Sequence, residues 1–327
     1  MNRAVIPAFI PHLGCPHQCV FCNQRAIAAP EAPAPEEIAA IVRQAMPWAK
    51  GGQLAFYGGS FTAIPWETQL AYLQAAQPFL QSGLIESLRV STRPDAVDES
   101  ILERLGRYGV RTVELGAQSM DDEVLRQAGR GHSAADTRRA ARLVKKQGFE
   151  LVLQIMAGLP GDSRALCRQT AEEIAGLAPD AVRIYPVCVL RGSPLAGLPG
   201  YRPLSIDQAA EWCADMLEVF QAKGIPVIRL GLNPTADLAQ AVLAGPYHPA
   251  LGQIVQARLA RRQAQALLKT LPPDAHVQLQ CPKGQLSTLR GQKNDNMAWF
   301  RQNFPQMRIE TAGKPEIRRI QAVVLSE

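Results

Sequence analysis

The sequence lacks the long apolar runs that a membrane protein requires. No stretch reaches the roughly 20 consecutive apolar residues of a transmembrane helix. The N-terminus has a single arginine and then a short apolar run, without the longer apolar segment and small-residue cleavage site of a secretory signal peptide. These absences predict a cytoplasmic protein with no membrane partner, in a compartment that keeps thiols reduced.

The sequence also lacks the signatures of an RNA-binding module. It has no stripe of aromatic and basic residues of the kind that lines a groove for single-stranded nucleic acid. The net charge of +6 permits an anionic partner without requiring one, because surface lysines and arginines are mostly solvated. With 327 residues and a hydrophobic content of 47%, the chain has enough apolar material for one large domain or for a barrel with a smaller companion.

A fourth cysteine is missing from the single cysteine cluster. Cys15, Cys19 and Cys22 have the spacing C-x3-C-x2-C, whereas the other four cysteines are scattered and are interpreted mainly as core residues. Clustered thiolates in such a chain favour a soft metal over disulfides. A structural zinc site is usually closed by four ligands, and a simple iron–sulfur cluster by four cysteines. Three thiolates therefore leave one metal position open for a group outside the protein, unless His12 or His17 completes a zinc site.

Short apolar strands alternate with helical segments through the first two-thirds of the chain, which predicts a parallel sheet with helices outside it. The predicted strands are residues 5–10, 53–57, 88–92, 112–116, 150–156 and 181–186, and residues 226–230 are a candidate for a further strand. The fold class is therefore α/β. We predict a partial (βα)6 open barrel over residues 1–203 and a C-terminal α/β extension over residues 204–327 that covers the barrel opening.

Glycine and polar residues recur at the C-terminal ends of the predicted strands. Each alone is consistent with a strand end and a cap for the next helix. Functional groups of parallel α/β sheets collect at these ends, so the ordered series favours a binding site. The series comprises Gly58, Gly59 and Ser60 after the second strand, Thr92 at the third, Gln118 and then Arg130 after the fourth, and Gln154 in the fifth.

The three cysteines, the aromatic residue before the last of them, and this series resemble the radical S-adenosylmethionine (radical SAM) superfamily. Within it the chain resembles the radical SAM domain of the Elongator catalytic subunit over about residues 5–198, and more distantly oxygen-independent coproporphyrinogen oxidases and their haem-chaperone relatives. The resemblance implies a [4Fe-4S] cluster on the three cysteines, with SAM on its fourth iron. An external flavodoxin- or ferredoxin-like reductant would drive cleavage of SAM to a 5′-deoxyadenosyl radical, which takes hydrogen from a substrate.

The same resemblance implies roles for individual side chains. Because Ser60 stands where the family has an acid, backbone carbonyls are expected to hold the amino group of SAM. Arg93, Glu114 and His132 are expected at the same mouth without an assigned role. The implied contacts are Phe21 beside the adenine, Gly58, Gly59 and Ser60 at the methionine amino group, Thr92, Gln118 and Gln154 near the ribose, and Arg130 at the carboxylate.

Substrate contacts are less clear from the sequence. Tyr185 lies at the end of the sixth strand and Cys188 just after it, where they either donate or relay a hydrogen atom or electron, or simply line the barrel as buried residues. The substrate is RNA or a small anionic molecule, and a non-catalytic cluster- and SAM-binding chaperone is a further alternative. The tail is too short for the acetyltransferase domain of Elongator, so no acetyl-CoA is expected. The sequence leaves open whether Arg229, His248 and Lys293 converge on the mouth.

Overall fold

A seven-stranded parallel sheet dominates the computed structural model, which describes residues 4–16, 19–24 and 31–325. Neighbours in the sheet follow sequence order, and the sheet curls into a half-barrel. The predicted partial barrel is thereby confirmed, with the candidate strand at residues 226–230 as its seventh member. The strands are β1 (Val5–Ile10), β2 (Gly52–Gly58), β3 (Ile85–Thr92), β4 (Val110–Gln118), β5 (Glu150–Ala157), β6 (Ala181–Pro186) and, after a short β7 (Val189–Leu190), β8 (Val227–Leu230).

Helices connect the strands and cover the outside of the sheet. Several begin at side chains that accept a hydrogen bond from the first turn, among them Asp98, Ser133 and Ser205. The helices of this part are α1 (Ile38–Ala49), α2 (Trp66–Gln81), α3 (Glu99–Arg107), α4 (Asp122–Gln127), α5 (Ala134–Lys146), α6 (Arg164–Gly176) and α7 (Ile206–Ala222). Because each helix runs back over the sheet, every strand of the main sheet points its C-terminal end the same way.

The two faces of the sheet differ sharply in polarity. Alternate residues such as Phe56, Leu115 and Ile184 are fully buried in the main hydrophobic core. The residues between them carry polar groups toward the inside of the half-barrel, as Glu114 and Arg183 do in β4 and β6. The strands are therefore apolar toward the helices and polar toward the bore.

The last third builds a smaller unit with its own hydrophobic core. It is preceded by α8 (Ala236–Ala241) and β9 (Val242–Ala244), which pack beside the half-barrel, where β9 pairs with β7. The elements of the smaller unit are α9 (Leu251–Leu268), β10 (His276–Pro282), α10 (Leu286–Arg290), α11 (Asp295–Asn303), β11 (Arg308–Lys314) and β12 (Gln321–Val324). Strand β10 pairs in parallel with β11 and antiparallel with β12, while α9 packs on α7. None of the described helices combines the length and the hydropathy needed to cross a bilayer. The predicted boundary at residues 203/204 stays a prediction, as does the covering of the barrel opening.

One detail of this unit corrects an interpretation of the sequence. The stretch from Arg290 to Asn296 is rich in hydrogen-bond donors, which predicts either a loop that grips an anion or a solvated loop in which Asn296 caps the next helix. The residue at the helix N-cap is Asn294, and Asn296 is buried. Its side-chain amide donates to the carbonyl oxygens of Ala257 at 2.9 Å and Leu289 at 3.0 Å. Asn296 therefore ties α11 to α9 and α10.

Candidate active site

A cavity of about 480 Å³ lies inside the half-barrel at the C-terminal ends of the strands. Its walls bring together side chains that are far apart in the sequence. Among the predicted site residues, only Ser60 does not line it. Those that do are Cys15, Cys19, Phe21, Cys22, Gly58, Gly59, Thr92, Gln118, Arg130, Gln154, Tyr185 and Cys188.

The cysteine loop follows β1 and is fixed by backbone contacts to distant segments. The Val20 N–H donates to the carbonyl of Ala128 at 3.0 Å, and the Ser60 N–H donates to the carbonyl of Leu13 at 2.7 Å. A Cβ atom on Gly14 would lie 2.2 Å from the carbonyl oxygen of Ser60, and one on Gly59 would lie 2.1 Å from that of Leu13. These glycines let the cysteine loop lie directly against the end of β2.

The three thiols are close enough to influence each other's ionisation. Burial raises the pKa of Cys15, and the neighbouring Cys19 raises it further. Burial together with Cys19 and Cys15 raises the pKa of Cys22 to about 12. Three mutually repelling, buried sulfurs favour the thiolate form only when a positive charge is placed among them. The donor set therefore fits a metal cluster.

Gln24 connects the cysteine loop to the sheet, and the sequence analysis did not identify it. Its side-chain amide donates to the carbonyl of Gly58 and accepts from the backbone N–H of His12. Burial raises the pKa of Cys15 and Cys22, and the Gln24 side chain partly offsets that rise. A glutamine two residues after the last cysteine is the only signal that the sequence offers for this role.

The alternative zinc site is not assembled in the part of the chain that the structure describes. No group of three or more His, Cys, Asp or Glu side chains within residues 4–16, 19–24 and 31–325 is arranged to hold one metal ion. The Nε2 atom of His12 accepts a hydrogen bond from the Gln24 backbone N–H at 3.2 Å. His17, the other predicted zinc ligand, lies outside the described residues.

Arg130 places a buried positive charge beside the cysteines. Its NH1 atom donates to the sulfur of Cys19 at 3.4 Å, and NH2 donates to the carbonyl of Gly116 at 2.8 Å. Its Nε atom is buried without a partner among the described residues. Buried guanidinium groups are normally satisfied, so the unpaired N–H marks a position where an anionic ligand fits.

Gln118 and Gln154 form a reciprocal amide pair across the strand ends. The Gln118 amide donates to Gln154 at 3.2 Å, and the Gln154 amide donates back at 2.7 Å. Gln118 has φ +66°, and a bulge interrupts the pairing of β4 with β5 beside it. Strained backbone of this kind concentrates at functional sites.

Thr92 in the cavity wall and Ser60 behind it belong to one hydroxyl network. The two side-chain oxygens lie 2.9 Å apart, and Ser60 Oγ also accepts from the Arg93 backbone N–H at 3.2 Å. The Arg93 guanidinium makes a bidentate contact with Asp95. This network fixes the loop after β3 against the loop after β2.

His132 lies just behind this end of the site. Its Nε2 atom contacts the Ala117 carbonyl at 3.2 Å, and its Nδ1 atom is buried without a partner among the described residues. Burial lowers the pKa of His132 to about 4, and the positive charge of Arg130 contributes to the shift. The imidazole is therefore neutral at physiological pH.

The same cavity wall carries the residues predicted on the substrate side. Tyr185 and Cys188 both line it, and burial raises the pKa of Cys188 to about 12, so its thiol is protonated. Arg229 lines it as well, whereas His248 and Lys293 do not. Of the three residues whose convergence the sequence left open, only Arg229 reaches the cavity.

A charged network deeper in the bore was only partly anticipated. Glu114 lies 3.6 Å from Arg89 and 3.3 Å from Arg183, and all three side chains are largely buried. Arg89 also donates to the Gln53 amide oxygen at 2.8 Å. The signal in the sequence was the alternation of polar with apolar residues inside β2, β3, β4 and β6, rather than the strand ends.

Family models match most of the chain. A model of the radical SAM superfamily matches residues 9–174, and a model of the radical SAM C-terminal domain matches residues 179–261. The first match includes the three cysteines and both glutamines of the amide pair.

Two curated relatives illustrate the range of the matches. Protein YhcC of Escherichia coli K12 is 30% identical over 183 residues, which are 54% of this chain and 59% of that protein. The tRNA uridine(34) acetyltransferase of Methanocaldococcus infernus is 37% identical over 112 residues, which are 33% of this chain and 21% of that protein. The chain thus spans less than two thirds of either relative.

Two solved structures share the fold. The archaeal Methanocaldococcus infernus Elp3 with an N-terminal deletion has a TM-score of 0.64 at 22% identity, covering 80% of this chain and 63% of that one. Coproporphyrinogen III oxidase (HemN) from Escherichia coli has a TM-score of 0.51 at 17% identity, covering 68% and 53%. Both branches that the sequence resembles therefore have the same partial barrel.

Proposed function

This chain belongs to the radical SAM superfamily, whose members are enzymes that use a [4Fe-4S] cluster and SAM, and we propose that Cys15, Cys19 and Cys22 hold that cluster. When bound and reduced by an external one-electron donor, the cluster and SAM would supply a 5′-deoxyadenosyl radical. This radical would take hydrogen from the substrate. The expected donor is a flavodoxin- or ferredoxin-like protein. An oxygen-sensitive cluster and seven free cysteines fit the cytoplasm as its compartment.

Individual residues hold the cofactor in this proposal. Arg130 binds the carboxylate of SAM, because a guanidinium with an unpaired N–H suits a planar anion. Gln118 and Gln154 open their mutual amide pair to hydrogen-bond the ribose, and Phe21 contacts the adenine. Backbone groups of Gly58 and Gly59 face the amino group, while Ser60 and Thr92 hold those glycines in place from behind.

The observation that carries the proposal is the convergence on one cavity. Three cysteines from the loop after β1, Arg130 from the segment after β4 and the glutamines of β4 and β5 line the same space. These are the residues for which the superfamily resemblance implies contacts with the cluster and with SAM. The unpaired Nε–H of Arg130, beside a cysteine sulfur, supports a ligand at this position.

The proposal is tested by anaerobic reconstitution with iron and sulfide. We expect a brown protein that releases 5′-deoxyadenosine from SAM in the presence of dithionite. Cys19→Ala is expected to lose both the iron and the cleavage, whereas Cys213→Ala, a core cysteine in α7, keeps them. Full cleavage by Cys19→Ala, or a wild-type protein that binds zinc and no iron, would refute the proposal.

For the substrate, we favour a small anionic molecule over RNA. The arginines of α9, the most basic helix of the C-terminal unit, are paired with carboxylates of α7 and do not form a free basic face. One relative is named a tRNA uridine(34) acetyltransferase, but the chain spans 21% of it. A mobility-shift assay with bulk tRNA at several salt concentrations tests RNA directly, because tight binding that weakens steeply with salt would favour RNA.

A further inference from the structure

Arg229 is a cation on the inner wall of the half-barrel without a carboxylate partner in the described part of the chain. The strand register places it beside Arg183, which in turn is beside Gln154, so that the three side chains share one face. Its Nε atom donates to the Gly231 carbonyl at 2.9 Å, and its NH2 atom donates to the Asn233 amide oxygen at 3.0 Å. These neutral acceptors orient the guanidinium and leave its charge uncompensated.

The other cations of the cavity wall are accounted for. Arg93 makes a bidentate ion pair with Asp95 at 2.8 Å, and Arg183 lies 3.3 Å from Glu114. Arg130 contacts Cys19 at the cluster end. Glu114 is the single acidic residue among the described residues of the wall, so Arg229 is the wall arginine that contacts neither a carboxylate nor a cysteine sulfur in the described part of the chain.

Two phenol groups line the same cavity, and both accept hydrogen bonds from Arg183, the neighbour of Arg229 in the sheet. Arg183 donates to the Tyr57 oxygen at 2.6 Å and to the Tyr185 oxygen at 3.3 Å. A phenol oxygen that accepts from a guanidinium keeps its own O–H for another acceptor. Burial raises the pKa of both tyrosines, so both remain donors at neutral pH. Both side chains line the cavity, and Arg229 acts electrostatically on Tyr185.

We infer that Arg229, Tyr57 and Tyr185 bind the carboxylate or phosphate group of a small organic substrate. A guanidinium and two O–H donors around one space are the chemistry that recognises an oxyanion. The inference rests on the proposed function, because it assigns the cluster end of the cavity to SAM and the Arg229 end to the substrate. A cavity of about 480 Å³ has the volume of a pocket for one drug-sized ligand, and because it also has to take SAM, the substrate group at Arg229 is small.

The test is calorimetric titration of the cluster-loaded protein, with SAM and without reductant, using succinate and inorganic phosphate as probes. We expect one probe to bind, and the preferred probe identifies the anionic group as carboxylate or phosphate. Losing a charge-assisted contact weakens binding by about tenfold, so Arg229→Gln is expected to do so, and Tyr185→Phe by about threefold. Arg301→Gln, which removes an exposed arginine of α11, is the matched control and is expected to bind normally.

The outcomes separate this inference from the proposed function. Equal affinity of Arg229→Gln and the wild-type protein would overturn the inference, as would a wild-type protein that binds neither probe or binds only tRNA. Iron content and SAM cleavage are measured on the same preparations. Should the wild-type protein hold no iron, the proposed function fails. The same titration on the iron-free protein still decides the anion site, because Arg183 and backbone contacts position these side chains without the cluster.

Discussion

Two groups of arginines occupy opposite sides of the sheet, and they are neutralised in different ways. On the outside, Arg258 and Arg262 of α9 contact Glu211 and Asp215 of α7, with each carboxylate shared by several cations. On the inside, Arg89 and Arg183 share the single carboxylate of Glu114 at distances beyond hydrogen-bonding geometry. Outside the sheet, several ion pairs per carboxylate hold α9 against α7. Inside the sheet, two arginines share one carboxylate, which leaves N–H groups available to a ligand.

The partnerless buried atoms follow the same division. Within the described residues there are six, and four of them belong to side chains of the bore or its mouth: Nε of Arg130, NH1 of Arg89, Nε of Arg183 and one oxygen of Glu114. The other two are Nδ1 of His132, just behind the mouth, and Oγ1 of Thr137 in α5. A folded protein rarely retains such atoms where stability alone is selected, so their concentration inside the half-barrel indicates a site for ligands.

The largest effect is expected from Glu114→Gln. Removing the carboxylate leaves Arg89 and Arg183 buried without a counter-ion, and breaking such a buried pair is expected to lower the free energy of unfolding by about 3 kcal/mol. Urea denaturation of the iron-free protein measures it. A loss below about 1 kcal/mol is typical of exposed ion pairs. It would mean that the arginines inside the sheet depend on their carboxylate no more than the arginines outside it do.

A smaller effect is expected from His132 as the pH falls. The pKa of His132 is lowered to about 4 in the folded state, so below its ordinary value the unfolded chain binds a proton that the folded chain does not. Stability is therefore lost as the pH falls from about 6.5 toward about 4, by about 2 kcal/mol between pH 7.5 and pH 5. His132→Gln should flatten this part of the stability profile. An unchanged profile would mean that His132 is solvated.

The ion pairs between α7 and α9, called the outer seam, supply the counterpart to Glu114. Glu211→Gln removes a carboxylate that contacts Arg258 and Arg262, but Asp207 still contacts Arg258 and Asp215 still contacts Arg262. We therefore expect a loss of only about 1 kcal/mol in the same urea experiment, with SAM cleavage unchanged. A loss as large as that of Glu114→Gln would show that redundancy does not protect the seam.

Much of the fold and of the cofactor end was predictable from the sequence, because the signals were local. The spacing of Cys15, Cys19 and Cys22 and the alternation of strands with helices identified the barrel and its mouth. Gln118 was identified because it stands at the end of β4, and Gln154 because it is a polar residue inside the apolar β5. All of these features depend on residues that are close together in the sequence, so they can be recognised without knowledge of the long-range contacts.

The residues that sequence reasoning missed depend on contacts between distant segments. Gln24 acts through Gly58 and His12, and Arg183 acts through Tyr57, 126 residues away. The pairing of α9 with α7 did leave a signal, since Asp207, Glu211 and Asp215 recur at four-residue spacing on one helix face.

The smallest effect on stability, and the most selective for function, is expected from Gln118→Gly. Glycine accepts the φ of +66° without strain, which offsets the loss of the amide pair with Gln154, so the free energy of unfolding should change by less than about 1 kcal/mol. SAM affinity, measured by calorimetry on the cluster-loaded protein, should nevertheless fall by about fivefold, because one amide contact is lost. Ala178→Gly, at an exposed outer position with φ +48°, is the control and should leave the affinity unchanged. If Gln118→Gly and Ala178→Gly bind SAM with equal affinity, Gln118 does not contact SAM. Its positive φ would then be explained by the β-bulge alone.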